Sequence, residues 1–492
     1  MKKSKRRIRQ HLGMMIIDTS MGIVWLISLQ YTFAGFGDIR IRIGLNILMA
    51  ITFLITGIVR YCTLMNRYGI DDVTGGKNKA EFEMIVKGLL ENEKNYVMVY
   101  ANIEQFKLIN DLYGSDTGDR ILKQIQQIMD EELLKDEVSG RIMADNFGLF
   151  MRYHSIQKLD ERLYRICRKI KSLKDDEGTS FGIRMVFGVC TAEDAEYSFE
   201  VMIEQANLAC SNVDKSTHLV HMGIYDESMK KKLNREHELE MKMQKALDNR
   251  EFVPYLQGKY ELKNETVAGA EALVRWLDPE EGIIYPNEFI PLFEKNGFIV
   301  QLDLYMFEEV CKLIDRWESA GCQIIPISVN LSRANFAIPN FFKAYKDIMK
   351  KYTIPKKAIE FELTESLLYN NFEQVNHLVD EIHELGMTCS IDDFGSGYSS
   401  LNMLKDVRVD FLKIDRVFFS EGDGSRRGQD IIRSILGLAQ ALQMKTVSEG
   451  IELPEQVDFL KAMNCNYVQG YIFAKPITVE AFEHHVYLED NT

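Results

Sequence analysis

The sequence predicts an α/β protein in three parts: two N-terminal transmembrane helices (1–62), an α/β sandwich domain (63–222) and, after a helical connector (223–236), a TIM-type (β/α)8 barrel (237–488). At 492 residues the chain is too long for one compact core. Eight strand-like pieces alternate with helical patterns across the C-terminal half, the rhythm of a β/α barrel of about 250 residues. Two apolar runs open the chain, each near the roughly 20 residues that cross a bilayer as a helix.

Composition excludes several classes. Hydrophobic residues at 46% and charged residues at 27% describe an ordinary globular chain and not a disordered one. A net charge of -14 argues against a protein that coats a nucleic acid polymer, but leaves room for a nucleotide site whose metals bring the positive charge. The eight cysteines (62, 167, 190, 210, 311, 322, 389 and 465) form no CxxC pair and read as reduced thiols, not a disulfide frame or a zinc site.

At the N-terminus, Lys2, Lys3, Lys5, Arg6, Arg7 and Arg9 precede an apolar run over 14–33, weakened by Asp18 and Thr19; a second run covers 43–59. No small-residue cleavage site follows the first, which disfavours a signal peptide. The expectation is a hairpin with 35–42 outside. The flanking positive charge, continued by Arg60 and Arg67, puts both ends and everything downstream in the cytoplasm, at a bacterial cytoplasmic membrane. Two amphipathic core helices are the alternative.

The second part opens with Asp72-Val73-Thr74-Gly75-Gly76-Lys77-Asn78, a helix bearing Phe82, Ile85, Val86, Leu89 and Leu90, and a strand over 96–103. Phe106-Lys107-Leu108-Ile109-Asn110-Asp111 and Gly118-Asp119 follow, then Arg141-Ile142-Met143-Ala144-Asp145-Asn146-Phe147. These elements resemble the GGDEF family of diguanylate cyclases over nearly the whole segment. The departures fall on the chemistry. Met143 and Ala144 stand where the family has glycines that admit a triphosphate, Asn146 replaces an acid, and Asn102 replaces a metal-ligating aspartate. Asp214 and His218 take the places of phosphate-binding Lys and Arg, and Leu134 and Glu137 those of an RxxD feedback site. A degenerate domain that does not cyclise GTP is implied. Asn110 and Asp119 match guanine-recognition positions; they read either as a relic GTP site or as turn and cap residues.

A charged helix over 226–247 with the stripe Leu239, Met243, Ala246 and Leu247 leads into the barrel, either to relay a signal or to pack on it. The barrel strands fall at 253–261, 268–276, 324–331, 358–364, 388–393, 411–414, 446–450 and 467–473. Polar groups end them: Glu271, Asn330, Glu362 with Glu365, Asp392 with Asp393, Lys413, Glu449 with Glu452, and Gln469. Asp392-Asp393 leads into the glycine loop Phe394-Gly395-Ser396-Gly397-Tyr398-Ser399-Ser400. Adjacent aspartates on a strand point to opposite faces, so both serve one site only where the backbone turns. Singly, such acids are surface charges or helix caps. Gathered at one mouth, they need cations to relieve their repulsion. Oxygen ligands without Cys or His favour Mg²⁺ or Mn²⁺.

From about 237 to 485 the chain resembles the EAL-family cyclic di-GMP phosphodiesterases. The resemblance implies two cations per site on Glu271, Asn330, Glu362, Asp392, Asp393 and Glu449, and Lys413 as the residue that activates or positions the attacking water. It also implies that Gln469 belongs to the active site, Glu365 steadies the loop after Asp393, and Gln257 and Arg275 contact substrate. Glu449 and Asp393 join Lys413 and Glu365 in the catalytic set, with Asp393 the most sensitive. Two cations about 3.5–4 Å apart lower the pKa of a shared water and stabilise attacking and leaving oxygens. Gln257-Gly258 departs from the family's Gln-Pro, and a looser strand end with weaker substrate binding is expected. The implied function is a membrane-anchored phosphodiesterase making linear pGpG from cyclic di-GMP, regulated or dimerised by the inactive GGDEF domain, with a homodimer a family-level expectation. The alternative is a non-catalytic cyclic di-GMP receptor signalling to a membrane partner; the complete set of acids favours the enzyme.

Overall fold

The computed structural model describes residues 69–91, 95–175, 178–191, 198–213, 221–395, 404–419 and 426–487, together with 25, 43, 47, 50–55 and 57. The chain divides into two compact units, Met1–Lys232 and Leu233–Thr492.

The expected transmembrane hairpin is corrected. Among the described residues no helix is long and apolar enough to cross a membrane, which overturns the two spanning helices and the membrane location built on them. Much of both runs lies outside the described residues. The sequence also weakens each run: Asp18 would be costly in hydrocarbon, and 43–59 falls short of a full span and contains Asn46.

In the first unit the described elements are α1 (Lys79–Leu90), β1 (Tyr96–Ile103), α2 (Phe106–Tyr113), α3 (Ser115–Glu132), β2 (Val138–Met143), β3 (Asn146–Arg152), α4 (Ile156–Lys171), β4 (Met185–Thr191), α5 (Phe199–Ser211) and β5 (His221–Ile224). The sheet order is β2-β3-β1-β4-β5, antiparallel except for the β4–β5 pair. Strand alternation gives β1 two buried faces. Val97, Val99, Ala101 and Ile103 join Ile121, Ile125, Leu159 and Leu163 of α3 and α4. Tyr96, Met98 and Tyr100 join Phe82 and Val86 of α1 and Phe199 and Met202 of α5. Helices thus cover both faces of the sheet, the α/β sandwich that the alternation predicts.

The helix α6 (Glu227–Asp248) follows. Its Leu239 and Ala246 are buried in a cluster with Phe252, Trp276, Phe289 and Phe293, and Met243 and Leu247 pack against it. Of the two readings of this helix, the stripe packs on the barrel unit.

The second unit comprises β6 (Phe252–Glu261), β7 (Val267–Asp278), β8 (Gly282–Ile284), α7 (Pro286–Asn296), α8 (Ile299–Ser319), β9 (Ile327–Asn330), α9 (Phe342–Met349), β10 (Ile359–Thr364), α10 (Glu365–Glu384), β11 (Thr388–Phe394), β12 (Phe411–Ile414), α11 (Arg426–Ala441), β13 (Lys445–Ser448), α12 (Pro454–Ala462), β14 (Tyr467–Val468), β15 (Ile477–Thr478) and α13 (Val479–Tyr487). A closed ring runs β6-β7-β9-β10-β11-β12-β13-β14 and returns to β6. All neighbours are parallel except those of β6, which is antiparallel to β7 and β14. The reason is local: only residues 262–266 join β6 to β7, too few for the crossover that a parallel pair needs.

The strands alternate in polarity more than barrel strands normally do. In β10, Ile359, Phe361 and Leu363 join the hydrophobic core with helix residues such as Phe307, Val375 and Leu378, whereas Glu360 and Glu362 meet lysines across the barrel. Strands buried on both faces usually read as continuous apolar runs. Here Lys259, Ser328, Glu360, Glu362, Ser390, Lys413, Thr446 and Ser448 are buried polar residues, and the barrel is filled largely by polar and charged groups.

Candidate active site

Lys413 on β12 is the centre. Its side chain is 1% exposed, and its ammonium lies 2.7 Å from Glu362 Oε2, 2.7 Å from Glu449 Oε1, 3.0 Å from Asp392 Oδ1 and 3.7 Å from Glu271 Oε2. These carboxylates come from four other strands or strand ends. Taking an ammonium out of water costs several kcal/mol, and only surrounding anions make the burial tolerable. They also hold the Lys413 pKa well above its ordinary value, against the desolvation that burial imposes.

Glu271 is held at both oxygens. Asn330 Nδ2 donates to Oε1 at 3.0 Å and Gln469 Nε2 to Oε2 at 2.7 Å. The Gln469 amide also donates to Gln257 Oε1 at 3.1 Å, and Gln257 donates to the Ala474 carbonyl at 3.0 Å. Burial, then Glu362, raises the Glu271 pKa. Gly470 lets this segment pass: a Cβ there would meet the Ile451 carbonyl oxygen at 2.1 Å.

The adjacent aspartates are reconciled by a bulge. The β11–β12 register shifts between Ile391 and Phe394, and Asp393 takes φ 54, a left-handed conformation that a non-glycine residue adopts at a cost. The Asp393 amide donates to Asp392 Oδ1 at 2.9 Å. One ligand oxygen each of Asp392, Asp393 and Glu449 then lie within 4.8 Å of one another. Gly395 N donates to Glu365 Oε2 at 2.9 Å, which ties the loop start to the first residue of α10. Residues 396–400 of that loop lie outside the described residues.

Lys259 was missed by the sequence reading. It is buried on β6, 2.9 Å from Glu362 Oε1 and 3.1 Å from Glu360 Oε1. Two lysines therefore divide Glu362 between them, Lys259 holding one oxygen and Lys413 the other, and Glu362 is lowered far below the carboxylate range despite its burial. Tyr255-Gln257-Lys259 alternation would have placed Lys259 on the face of Gln257. Asp303 of α8 was also missed. It accepts from Ser332 N at 3.0 Å, Ser332 Oγ at 3.1 Å and Asn335 Nδ2 at 2.7 Å, fixing the turn after Asn330; burial pushes it up to about 6.

Gly258 remains in the ladder opposite Ala270, and a bulge follows between Lys259 and Tyr260. Arg275 stands apart from the carboxylate ring, its Nη1 donating to the Val274 carbonyl at 2.8 Å.

The donor set fits hard divalent cations. Six carboxylates (Glu271, Glu360, Glu362, Asp392, Asp393 and Glu449) surround two ammoniums, leaving four negative charges that two divalent cations would neutralise. Glu449 Oε1 and Gln469 Oε1 are buried without a hydrogen-bond partner; the Lys413 approach to Glu449 is an ion pair lacking hydrogen-bond direction.

In the other unit, Asn102 Nδ2 donates to Asn146 Oδ1 at 2.6 Å across the β1–β3 pair. Paired amides satisfy each other where paired carboxylates would need a cation. Ala144, in place of glycine, takes φ 47 in the β2–β3 turn. Asn110 lies in the last turn of α2, its carbonyl accepting from Gly114 N at 2.9 Å, and its Oδ1 would lie 2.0 Å from a Cβ on Gly118. Asp119 lies on α3. Glu137 is a buried partner of Arg162, at 2.5 Å. Asp214 and His218 lie outside the described residues.

Two family models match. The GGDEF model (Diguanylate cyclase, GGDEF domain) covers residues 68–218, and the EAL model (EAL domain) covers 240–476. The chain thus carries a GGDEF domain followed by an EAL domain. Among curated relatives, it is 30% identical over 423 residues to the cyclic di-GMP phosphodiesterase NbdA of Pseudomonas aeruginosa, covering 85% of this chain and 54% of that one. It is 29% identical over 420 residues to the cyclic di-GMP phosphodiesterase PdeR of Escherichia coli, covering 84% and 62%. The chain therefore spans only about half to three fifths of the length of these relatives. A solved structure of the S helix-GGDEF-EAL portion of Vibrio cholerae LapD, bound to c-di-GMP, aligns with 86% of this chain and 100% of its own at TM-score 0.51 and 17% identity, a likeness of fold.

Two predictions follow from the geometry. Lys259→Met leaves Glu360 buried without its ammonium and Glu362 with Lys413 alone, and is expected to cost about 3–5 kcal/mol in urea unfolding. Adding Glu360→Gln should recover part of this; a single-variant loss below about 1 kcal/mol would contradict the pairing. Burial, opposed by Lys413 and reinforced by Asp392, pushes Glu449 up to about 8 in the cation-free protein, from an ordinary 4.5. Its side chain keeps 20% exposure at the mouth, so water screens part of that shift. A raised acid binds a proton in the fold that the unfolded chain has lost, so cation-free stability should fall as pH rises from 4.5 to 8. Melting temperatures in EDTA should show this fall, and Glu449→Gln should flatten it; an unchanged slope in the variant would contradict the assignment.

Proposed function

We propose that the chain hydrolyses cyclic di-GMP to linear pGpG at the mouth of the EAL barrel, and that its GGDEF domain does not cyclise GTP. The observation that carries the first part is the complete carboxylate ring around buried Lys413; the Asn102–Asn146 pair supports the second. The names of NbdA and PdeR support the same activity and substrate.

Glu271, Asn330, Glu362, Asp392, Asp393 and Glu449 would hold the cations. When bound, such cations supply Lewis acidity toward the phosphate and a lowered pKa for water. The residues of the chain do the rest. Asn330 and Gln469 orient Glu271 at both oxygens, and Lys259 and Lys413 keep Glu362 ionised. The Lys413 ammonium favours hydroxide over water at the mouth. Arg275 presents a planar fork suited to a phosphate. In the reaction a water oxygen attacks phosphorus, the bond from phosphorus to the 3′-oxygen breaks, and that oxygen takes up a proton.

The test is turnover of cyclic di-GMP by the full-length chain with Mg²⁺ or Mn²⁺, with and without GTP. The expected result is pGpG formation that EDTA abolishes and Glu271→Ala reduces by at least about a thousandfold. Binding of cyclic di-GMP without turnover would overturn hydrolysis in favour of a receptor.

A further inference from the structure

We propose that Tyr285 and Tyr471 are stacking platforms for the two bases of the cyclic dinucleotide, Tyr285 beside the Arg275 guanidinium and Tyr471 two residues beyond Gln469. The inference rests on the reading of this mouth as a cyclic di-GMP site and adds the residues that grip its bases.

Arg275 follows Glu271 by four residues on β7, so both side chains leave the same face of the strand. Its Cζ lies 5.5 Å from the centroid of the Tyr255 ring and 5.8 Å from that of Tyr285. Tyr471 comes two residues after Gln469, whose amide holds Glu271, and Lys475 Nζ lies 5.4 Å from the centre of its ring. Arg275 thus lies against both Tyr255 and Tyr285, and Lys475 against Tyr471. Tyr285 is 54% exposed and Tyr471 57%, so each ring keeps surface for a ligand.

Both are carried on fixed backbone. Tyr285 is extended at the N-cap of α7, immediately before Pro286 at the first helical position. Tyr471 follows Gly470, whose Cα is pressed against the backbone of Ile451.

The ligand chemistry matches this division. The carboxylate ring can engage phosphate only through cations and Arg275. It offers nothing to the flat face of a neutral purine. A base outside that ring gains most from an aromatic surface, and a cation beside each tyrosine adds attraction to a bound purine. A cyclic dinucleotide has two bases, and Tyr285 and Tyr471 are the two of these three rings that are more than half exposed.

The test uses full-length chain with Tyr285→Ala, Tyr285→Phe and Tyr471→Ala. KM and kcat are measured on cyclic di-GMP, and fluorescence quenching on a cyclic dinucleotide bearing 2-aminopurine, which loses emission when it stacks. Each Ala variant should raise KM about tenfold with kcat within about twofold, and should relieve the quenching on binding; Tyr285→Phe should behave as the parent. Unchanged KM and quenching in both Ala variants would overturn the proposal. So would a raised KM with unchanged quenching, which would mean that the rings only hold Arg275. A Phe variant as weak as Ala would overturn it too, by assigning the effect to the hydroxyl. If the parent binds and quenches the probe without cleaving cyclic di-GMP, hydrolysis fails while the platforms stand.

Discussion

A lysine with 1% of its side chain exposed, inside a ring of carboxylates, sets the terms for the rest of the barrel. Lys413 could not remain charged there without Glu362, Asp392 and Glu449 within ion-pair distance. Those acids in turn cannot all remain ionised without more positive charge than Lys413 and Lys259 supply. Each further feature reduces that imbalance or holds it in place. Asn330 and Gln469 fix Glu271, Asp303 braces the turn behind Asn330, and the bulge at Asp393 brings a second aspartate to the same side. The left-handed backbone of Asp393 is the visible strain, and it falls where the acids converge.

The two domains handle the same electrostatic problem in opposite ways. At the β1–β3 pair of the GGDEF domain, Asn102 and Asn146 stand opposite each other and one hydrogen bond satisfies both where carboxylates would need a cation. In the barrel six carboxylates face two ammoniums, and the excess negative charge suits divalent cations.

The barrel was legible because eight strand-like pieces alternate with helical patterns over about 250 residues and polar groups recur at the strand ends. The carboxylates were legible for the same reason. Lys259 was not, because a lysine two residues beyond Gln257 looks like a solvated strand end until the barrel closes and Glu360 and Glu362 face it. The antiparallel β6 depended on the shortness of 262–266, a local signal that the repeat obscured. The N-terminal runs misled because length and hydropathy were weighed above Asp18 and Asn46.

The most direct test of this account counts cations. Electron paramagnetic resonance of full-length chain titrated with Mn²⁺ near neutral pH should show two bound ions per chain, with Glu271→Ala losing at least one and Asn102→Ala losing none. A chain that binds no Mn²⁺, or whose bound ions survive loss of Glu271 but not of Asn102, would contradict it.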